Sequence, residues 1–505
     1  KMNKQEGRDG RLEKNRFSRL LKHLMSVAEV KNYTLARELQ YDVSYISKWT
    51  SGQLLPTEKL EKKILKEISR CIVFSCGDGA LEKLMTDYQV ENKEALCMAI
   101  FDNLEAEYFY VRDLQNNMGR DVAPKTFFFP ELSMPQYIAK MRHPVLRRVS
   151  SLEIAGALDL FSMKREYLAR ILGSEKEHIP SGRGYPDVHY SLLINIRKDK
   201  WDYTYDTVFL IHLLIENQCV DFRLYGSTQA VGKAVFVVKN EYSISGMLFG
   251  SERCMSVVIS EDADTCSEMY KNIMALCSKE RLLFRKTTMK ELLSGHEYLR
   301  GLLSMNSRWV IGHLTEHFLP DDLFEELAAD LEVHQDNELN IDVLRETHQV
   351  TKRIIEESKI RLLINKNAFY NLVVEQELDF YNYRIHLSAG QQVRCLQYFL
   401  ELCQNHGNLE MKLISGKLLE DERYDVSPCV FLSDSAACLR LTENYNNLFV
   451  INRSDMEEIF EKTFDKFWNT SNKGIVEDQA AIMEHIRHVI RGIYWSNPDL
   501  KMADI

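Results

Sequence analysis

Two histidines four residues apart, His313 and His317 in HLTEH, are the first candidates for chemistry. On a helix they would share one face. A zinc protease would need glutamate directly after the first histidine, and Leu314 stands there instead, so no metal site is expected. Cys71 and Cys76 have no second cysteine pair to complete a structural zinc site. The 11 cysteines are scattered through apolar runs, such as Cys395 and Cys403 in VRCLQYFLELC, and are expected as buried free thiols. CGDGA (76–80) breaks a helical run but lacks the lysine and hydroxyl of a phosphate loop. No catalytic residue and no cofactor is expected.

A different chemistry fits VSYISKW (43–49). Ile46 and Trp49 lie three apart on what would be the buried side of a helix. Ser44, Tyr45, Ser47 and Lys48 then include the outward face, a set of hydroxyls and an ammonium suited to base edges and phosphates. Asp42 is placed to cap this helix and Gly52 to stop it. Upstream, TLARELQ (34–40) reads as a second helix with Thr34 as its cap, and Ala36 and Leu39 as packing residues. Further upstream, Phe17, Leu20, Leu21 and Leu24 have helical spacing. Two short helices on a tight turn let the second lie in a DNA major groove. Charge agrees: residues 1–70 hold 16 Lys and Arg against 9 Asp and Glu, a net of +7 in a chain of net −10. A basic end on an acidic body suits a polyanion partner.

The order Ala36, Leu39, Tyr41, Asp42, Ile46, Ser47, Trp49, Gly52, Pro56 resembles the helix-turn-helix of the Cro/C1-type (XRE) repressor family, over about residues 15–70. The resemblance implies a recognition helix at 43–49, with Ser44, Tyr45 and Lys48 reaching base edges. It implies phosphate contacts from Thr34, Ser47 and Gln53, and further backbone contacts from Arg16, Arg19 and Lys22. The chain departs from the family at Gln40, where members usually have glycine. A left-handed residue other than glycine costs about 1 kcal/mol at such a turn.

The elements that must position this head, and whatever lies behind it, span 505 residues, too many for one core. No 18-residue apolar stretch predicts a membrane span. The opening KMNKQEGRDGRLEKN has no apolar run, so no signal peptide and a cytoplasmic location are expected. The expected fold is α/β and multidomain. A helix-turn-helix head covers 1–70, a helical connector and linker 71–135, a first α/β unit with flanking helices 136–330, and a second 331–505. The linker is placed at NNMGRDVAPKTFFFPELSMP (116–135). Helices are expected over 136–175, over most of 289–319 and over 343–365, and HIPSGRGYPDVHYS (178–191) reads as a turn.

Two parts of the body resemble each other. One runs through 207–226, 234–248 and 254–277, the other through 392–416, 429–441 and 447–468. Each reads helix, strand, strand, strand, helix. An acid-rich start opens the final helix of each, Asp262 and Asp264 in the first and Ser454 with Glu457 and Glu458 in the second, where Ser454 followed by Glu457 reads as a capping box. The pattern resembles phospholipase D-like modules, found in inactive form behind the DNA-binding heads of some bacterial regulators. The enzyme's signature, His-x-Lys with a later Asp, would fall on the middle strands. Phe236 to Asn240 and Val430 to Asp434 hold no histidine, so no enzyme is expected. Arg223, Lys239, Lys412 and Asp434 lie on or beside predicted strands and are the candidate ligand contacts.

The expected function is a sequence-specific transcriptional regulator. It would bind a double-stranded DNA operator as a homodimer, with no membrane partner, and its body would sense a small molecule, a peptide or a protein. An enzyme with a DNA-binding head and a non-DNA interaction module stand as alternatives. The first would need a convergent polar cluster between the repeats. The second would leave DNA affinity indifferent to the basic residues of 1–70.

Overall fold

In the computed structural model, residues 15–88, 90, 92–117, 126–141, 143, 145–148, 152–178, 188–196, 201–217, 220–304, 306–334, 339–405, 407–415, 427–434, 436–441, 448–470 and 474–500 are described. The chain divides into two units. The first is Lys1–Ile194 with Cys219–Phe222 and Gln229–Ser278; the second is Asn195–Gln218, Arg223–Thr228 and Lys279–Ile505.

The first unit begins with α1 (Arg16–Val27), α2 (Asn32–Leu39) and α3 (Val43–Ser51), close to where the apolar spacing puts them. Thr34 does not cap α2. The helix starts at Asn32 after Lys31, which makes no side-chain cap bond, and the Thr34 N–H is already bonded to the Lys31 carbonyl. Gln40 ends α2 in the left-handed region, at φ 57° and ψ 40°. Replacing Gln40 with glycine should therefore stabilise the head by up to about 1 kcal/mol, read as a higher urea midpoint.

Helices α4 (Glu61–Ser75), α5 (Asp78–Asp87) and α6 (Lys93–Asn117) share the apolar core of α1 to α3. Leu96, Ile100, Leu104 and Tyr108, each four apart on α6, are all buried. The Tyr108 ring meets Phe17 edge-on at 6.1 Å, and its hydroxyl donates to the Pro56 carbonyl at 3.0 Å. That single row of side chains ties the arm to the head.

Strands follow: β1 (Thr126–Ser133), β2 (Leu152–Leu158), β3 (Val188–Ile194), β4 (Asp221–Gly226), β5 (Lys233–Val238), β6 (Tyr242–Phe249) and β7 (Arg253–Ser260). They form one sheet in the order β1-β7-β6-β5-β2-β3-β4. Later come β8 (Phe284–Thr287), β9 (Asn306–Ile311), β10 (Lys359–Asn365), the hairpin β11 (Glu377–Phe380) and β12 (Tyr383–His386), β13 (Leu409–Ile414), β14 (Cys429–Ser433), β15 (Ala437–Arg440), β16 (Leu448–Ile451) and β17 (Ile475–Val476). Apart from the hairpin, these form a second sheet ordered β8-β16-β15-β14-β9-β10-β13-β17.

The two orders match strand for strand, with β17 added at one end of the second. The senses match as well. β2 and β3 are parallel, as are β9 and β10, while β2 is antiparallel to β5 and β9 to β14. The internal repeat is thus present and is larger than the sequence pattern showed. The middle segment of each copy is a hairpin of two strands, β5–β6 and β14–β15, where one strand was expected. Asn240, at φ 63°, makes the first of these turns.

Several expected helices are strands. Leu152–Leu158 is buried almost throughout, and such a continuous apolar run has no period to separate strand from helix. Asn306–Ile311 and Lys359–Asn365 interrupt the helical readings of 289–319 and 343–365. Part of the expected linker is β1, an edge strand whose register passes over Pro130, where a missing N–H is tolerated. Val188–Ile194 is β3, while 179–187 of the expected turn lie outside the described residues. Asp262 caps the helix Ala263–Cys277 by accepting from the Thr265 N–H. Ser454 does not cap Ser454–Asn469. The cap position falls on Arg453, which makes no side-chain cap bond and instead donates to Asp455 at 2.9 Å.

Candidate nucleic-acid interface

Helix α3 is held at both ends. The Asp42 carboxylate accepts from the Ser44 N–H at 2.8 Å, and hydrogen bonds from Ser44 hold that carboxyl below its ordinary range. At the other end, Gly52 sits at φ 83° and its N–H reaches back to the Trp49 carbonyl, while the Gln53 N–H reaches the Lys48 carbonyl. The Asn15 side chain donates to the Gly52 carbonyl at 3.1 Å, tying the start of α1 to the end of α3. A Cβ on Gly52 would meet Asn15 Nδ2 and Ser18 Oγ, each at 3.1 Å. Gly52→Ala should cost the head about 1–2 kcal/mol through the left-handed backbone alone, with the crowding in addition, measured by urea unfolding.

Ile46 and Trp49 face inward at 0% and 2% exposure. Tyr41 packs on Trp49 at 5.4 Å and on Tyr45 at 6.1 Å. Ser44, Tyr45, Ser47 and Lys48 are exposed together on the opposite face. Lys48 Nζ stands 5.9 Å from the Tyr45 ring centroid, so a phenol and an ammonium are presented side by side. Gln53 is exposed just past the end of α3, Arg19 and Lys22 are exposed on α1, and Thr34 is half-buried in the first turn of α2. The Arg16 side chain lies outside the described residues. Tyr33, 59% exposed beside Thr34, was missed by sequence reasoning; its aromatic ring at a polar helix start is the signal that could have found it.

Of the candidate ligand residues of the body, Lys239, Lys412 and Asp434 are engaged locally. Lys239 pairs with Glu153 and lies over the Tyr270 ring at 5.2 Å. Lys412 donates to Glu477 and to the Trp468 carbonyl, both at 2.7 Å. Asp434 accepts from Ser304 at 3.3 Å, and Arg223 is exposed on β4. Within the second sheet, Lys412 on β13 and Asp434 beyond β14 are separated by β10 and β9.

His313 and His317 do not share a helix face. β9 ends at Ile311, and a Cβ on Gly312 would run into the Ser427 and Pro428 backbone, so only glycine fits where these two segments pass. Only Glu316–Phe318 forms a helical turn, of the 3-10 type. The two imidazoles serve separate contacts in one buried polar cluster that no local spacing announced. Arg440, fully buried, donates to both oxygens of Glu316 at 2.7 and 2.6 Å. Glu316 also accepts from the Tyr298 hydroxyl and from the Tyr381 N–H. The Tyr298 proton is thereby committed, so His317 Nε2, 3.1 Å away, donates to that oxygen, and its Nδ1 accepts from Thr315. His313 Nε2 lies 2.9 Å from Asp379, and Cys429 Sγ is 3.4 Å from His313 Nδ1. These three follow the order of a thiol nucleophile with its base and orienting acid, yet Cys429 is 0% exposed. The β11–β12 hairpin presents Asp379; its two turn residues, Tyr381 and Asn382, take φ of 51° and 65°, as a two-residue hairpin of this hand requires.

No protein-family model matches the chain, and no curated protein matches it. Solved structures similar in part include the following two. TrmBL2, an archaeal chromatin protein with a novel mode of DNA binding, is 12% identical over 52% of this chain and 99% of its own, at a TM-score of 0.21. The phosphatidylserine synthase of Haemophilus influenzae Rd KW20 is 10% identical over 77% of this chain and 98% of its own, at a TM-score of 0.23. At such scores neither match bears on what the chain does.

Proposed function

We propose that the chain is a sequence-specific DNA-binding transcriptional regulator of the Cro/C1 type that reads its operator with α3. The observation behind this reading is the exposed row of Ser44, Tyr45, Ser47 and Lys48 on a helix whose other face, Ile46 and Trp49, is locked in the core. A homodimer would place two such helices in successive major grooves. The body is a sensor for a small molecule, peptide or protein, built from two inactive phospholipase D-like modules. Its non-catalytic role is supported by the absence of histidine from β5 and β14 and by the burial of Cys429. Selection of the full chain on random duplexes should enrich a two-fold symmetric site with half-sites about 10 base pairs apart. Failure to enrich any sequence would remove the regulator reading.

A further inference from the structure

One face of the first unit's sheet carries an open apolar patch. Its middle is a row across four strands. Glu131 on β1 is in register with Met255 on β7, Met255 with Met247 on β6, and Met247 with Lys233 on β5. Side chains in register on neighbouring strands share a face. Phe249, two residues beyond Met247, is on that face as well, and its register partner on β7 is Arg253. On the other flank Ser245, two residues before Met247, is in register with Val258, and Val258 with Phe128 on β1. Val258 and Met255 are three apart, so plain alternation would put them on opposite faces. Ser256, left-handed at φ 52°, and the register shift beside it bring both to the same one. Cys254 and Val257 take the opposite side, both fully buried.

The patch has the size for a second copy of the chain. Met247, Phe128 and Phe249 are 60–66% exposed and Met255 38%. At roughly 150–250 Å² for an aromatic side chain, these four expose on the order of 400 Å² of apolar surface. Partly exposed Val258 adds to it. A stable homodimer buries about 800 Å² per partner, some two-thirds of it apolar. The row also has the charge pattern for a second copy. The order Glu, Met, Met, Lys, turned over about an axis along the strands between β7 and β6, lies on its own reverse. Glu131 of each copy then meets Lys233 of the other, Met255 meets Met247, and Arg253 meets the Phe249 ring. No like charges fall opposite one another. Within its own chain Glu131 accepts from Arg253 at 2.6 Å, so its carboxylate would lie between two cations.

We propose that two copies of the chain join through this face, as a homodimer about a two-fold axis running along β6 and β7. This names the interface of the dimer in the regulator reading, and the contact itself does not depend on DNA. Sedimentation equilibrium of the full chain at low salt should show a monomer–dimer equilibrium. Met247→Lys puts a charge at the centre of the contact and should weaken dimerisation by about tenfold or more. Met255→Lys does the same from the neighbouring strand, and either variant suffices if the other fails to fold. Glu131→Lys and Lys233→Glu should each weaken the dimer by about threefold or more, by setting like charges opposite. An equimolar mixture of these two variants restores opposite charges across the axis and should associate more tightly than either alone. A monomeric chain, a dimer unchanged in a folded Met247→Lys or Met255→Lys variant, or a mixture no tighter than its components would overturn the interface. A monomeric chain that floats with phosphatidylcholine–phosphatidylglycerol vesicles, and no longer does so as Met247→Lys, would give the face to a lipid surface and likewise overturn it. The regulator reading fails separately. A dimer that selects no duplex keeps the interface, and a monomer that selects one duplex sequence removes only the interface.

Discussion

Replacing Arg440 with methionine should destabilise the second unit by about 3–5 kcal/mol, read as a lower urea midpoint. The cause is the anion left behind. Glu316 is 2% exposed and Arg440 fully buried, so no water replaces the guanidinium when it is removed. Burial alone would raise the Glu316 carboxyl; Arg440, the strongest opposing influence, holds it below its ordinary range. Converting Glu316 to glutamine in the same chain removes the stranded charge, keeps one acceptor for the Tyr381 N–H, and turns an amide N–H towards the Tyr298 hydroxyl oxygen, which then accepts. The double variant Arg440→Met, Glu316→Gln should therefore recover much of the loss, a coupling of opposite sign to a second defect. A double variant less stable than Arg440→Met would refute the stranded-charge explanation. The same cluster sets an acid limit. His317 has a folded pKa of about 4, below its ordinary 6.5. Its contribution is complete above pH 6.5 and is lost as pH falls towards 4, because only the unfolded chain can take up the proton there. Urea midpoints measured from pH 7 to pH 4 should fall across that window.

The second large effect belongs to the head. Trp49→Ala should cost about 3–5 kcal/mol, enough to unfold α1 to α3 while the strands of the body persist. Trp49 is 2% exposed and packs with Phe17, Leu20, Leu21 and Leu24 in one core. Tyr45, four residues away on the same helix, is 48% exposed, and Tyr45→Ala should change stability by less than about 0.5 kcal/mol. The pair separates the role of packing α3 from the role of presenting it. Circular dichroism with urea unfolding of both variants checks this.

The helices of the head were legible in the sequence because they are amphipathic and short, with a start signal at Asp42 and a stop signal at Gly52. Gln40 was also legible as the uneasy place, and the backbone there is indeed left-handed. The sheets were half legible. Strands ending in turn-formers or charges stood out, but β10 follows the helix Ile341–Glu357 after a single residue, Ser358. With no glycine or proline between them, the apolar run continues the helical pattern. The cluster around Arg440 could not be read at all, since Arg440 and Glu316 are 124 residues apart in the chain. The candidate ligand residues show the converse. Charges on strands suggest a site, but Lys239 and Lys412 answer to carboxylates beside them.

The most direct measurement is a binding titration of the full chain against its selected duplex, repeated with Lys48→Ala and with Tyr45→Ala. If α3 lies in the major groove, each substitution weakens binding by about 1–3 kcal/mol without lowering the urea midpoint. Affinity unchanged in both variants would contradict a groove-reading α3.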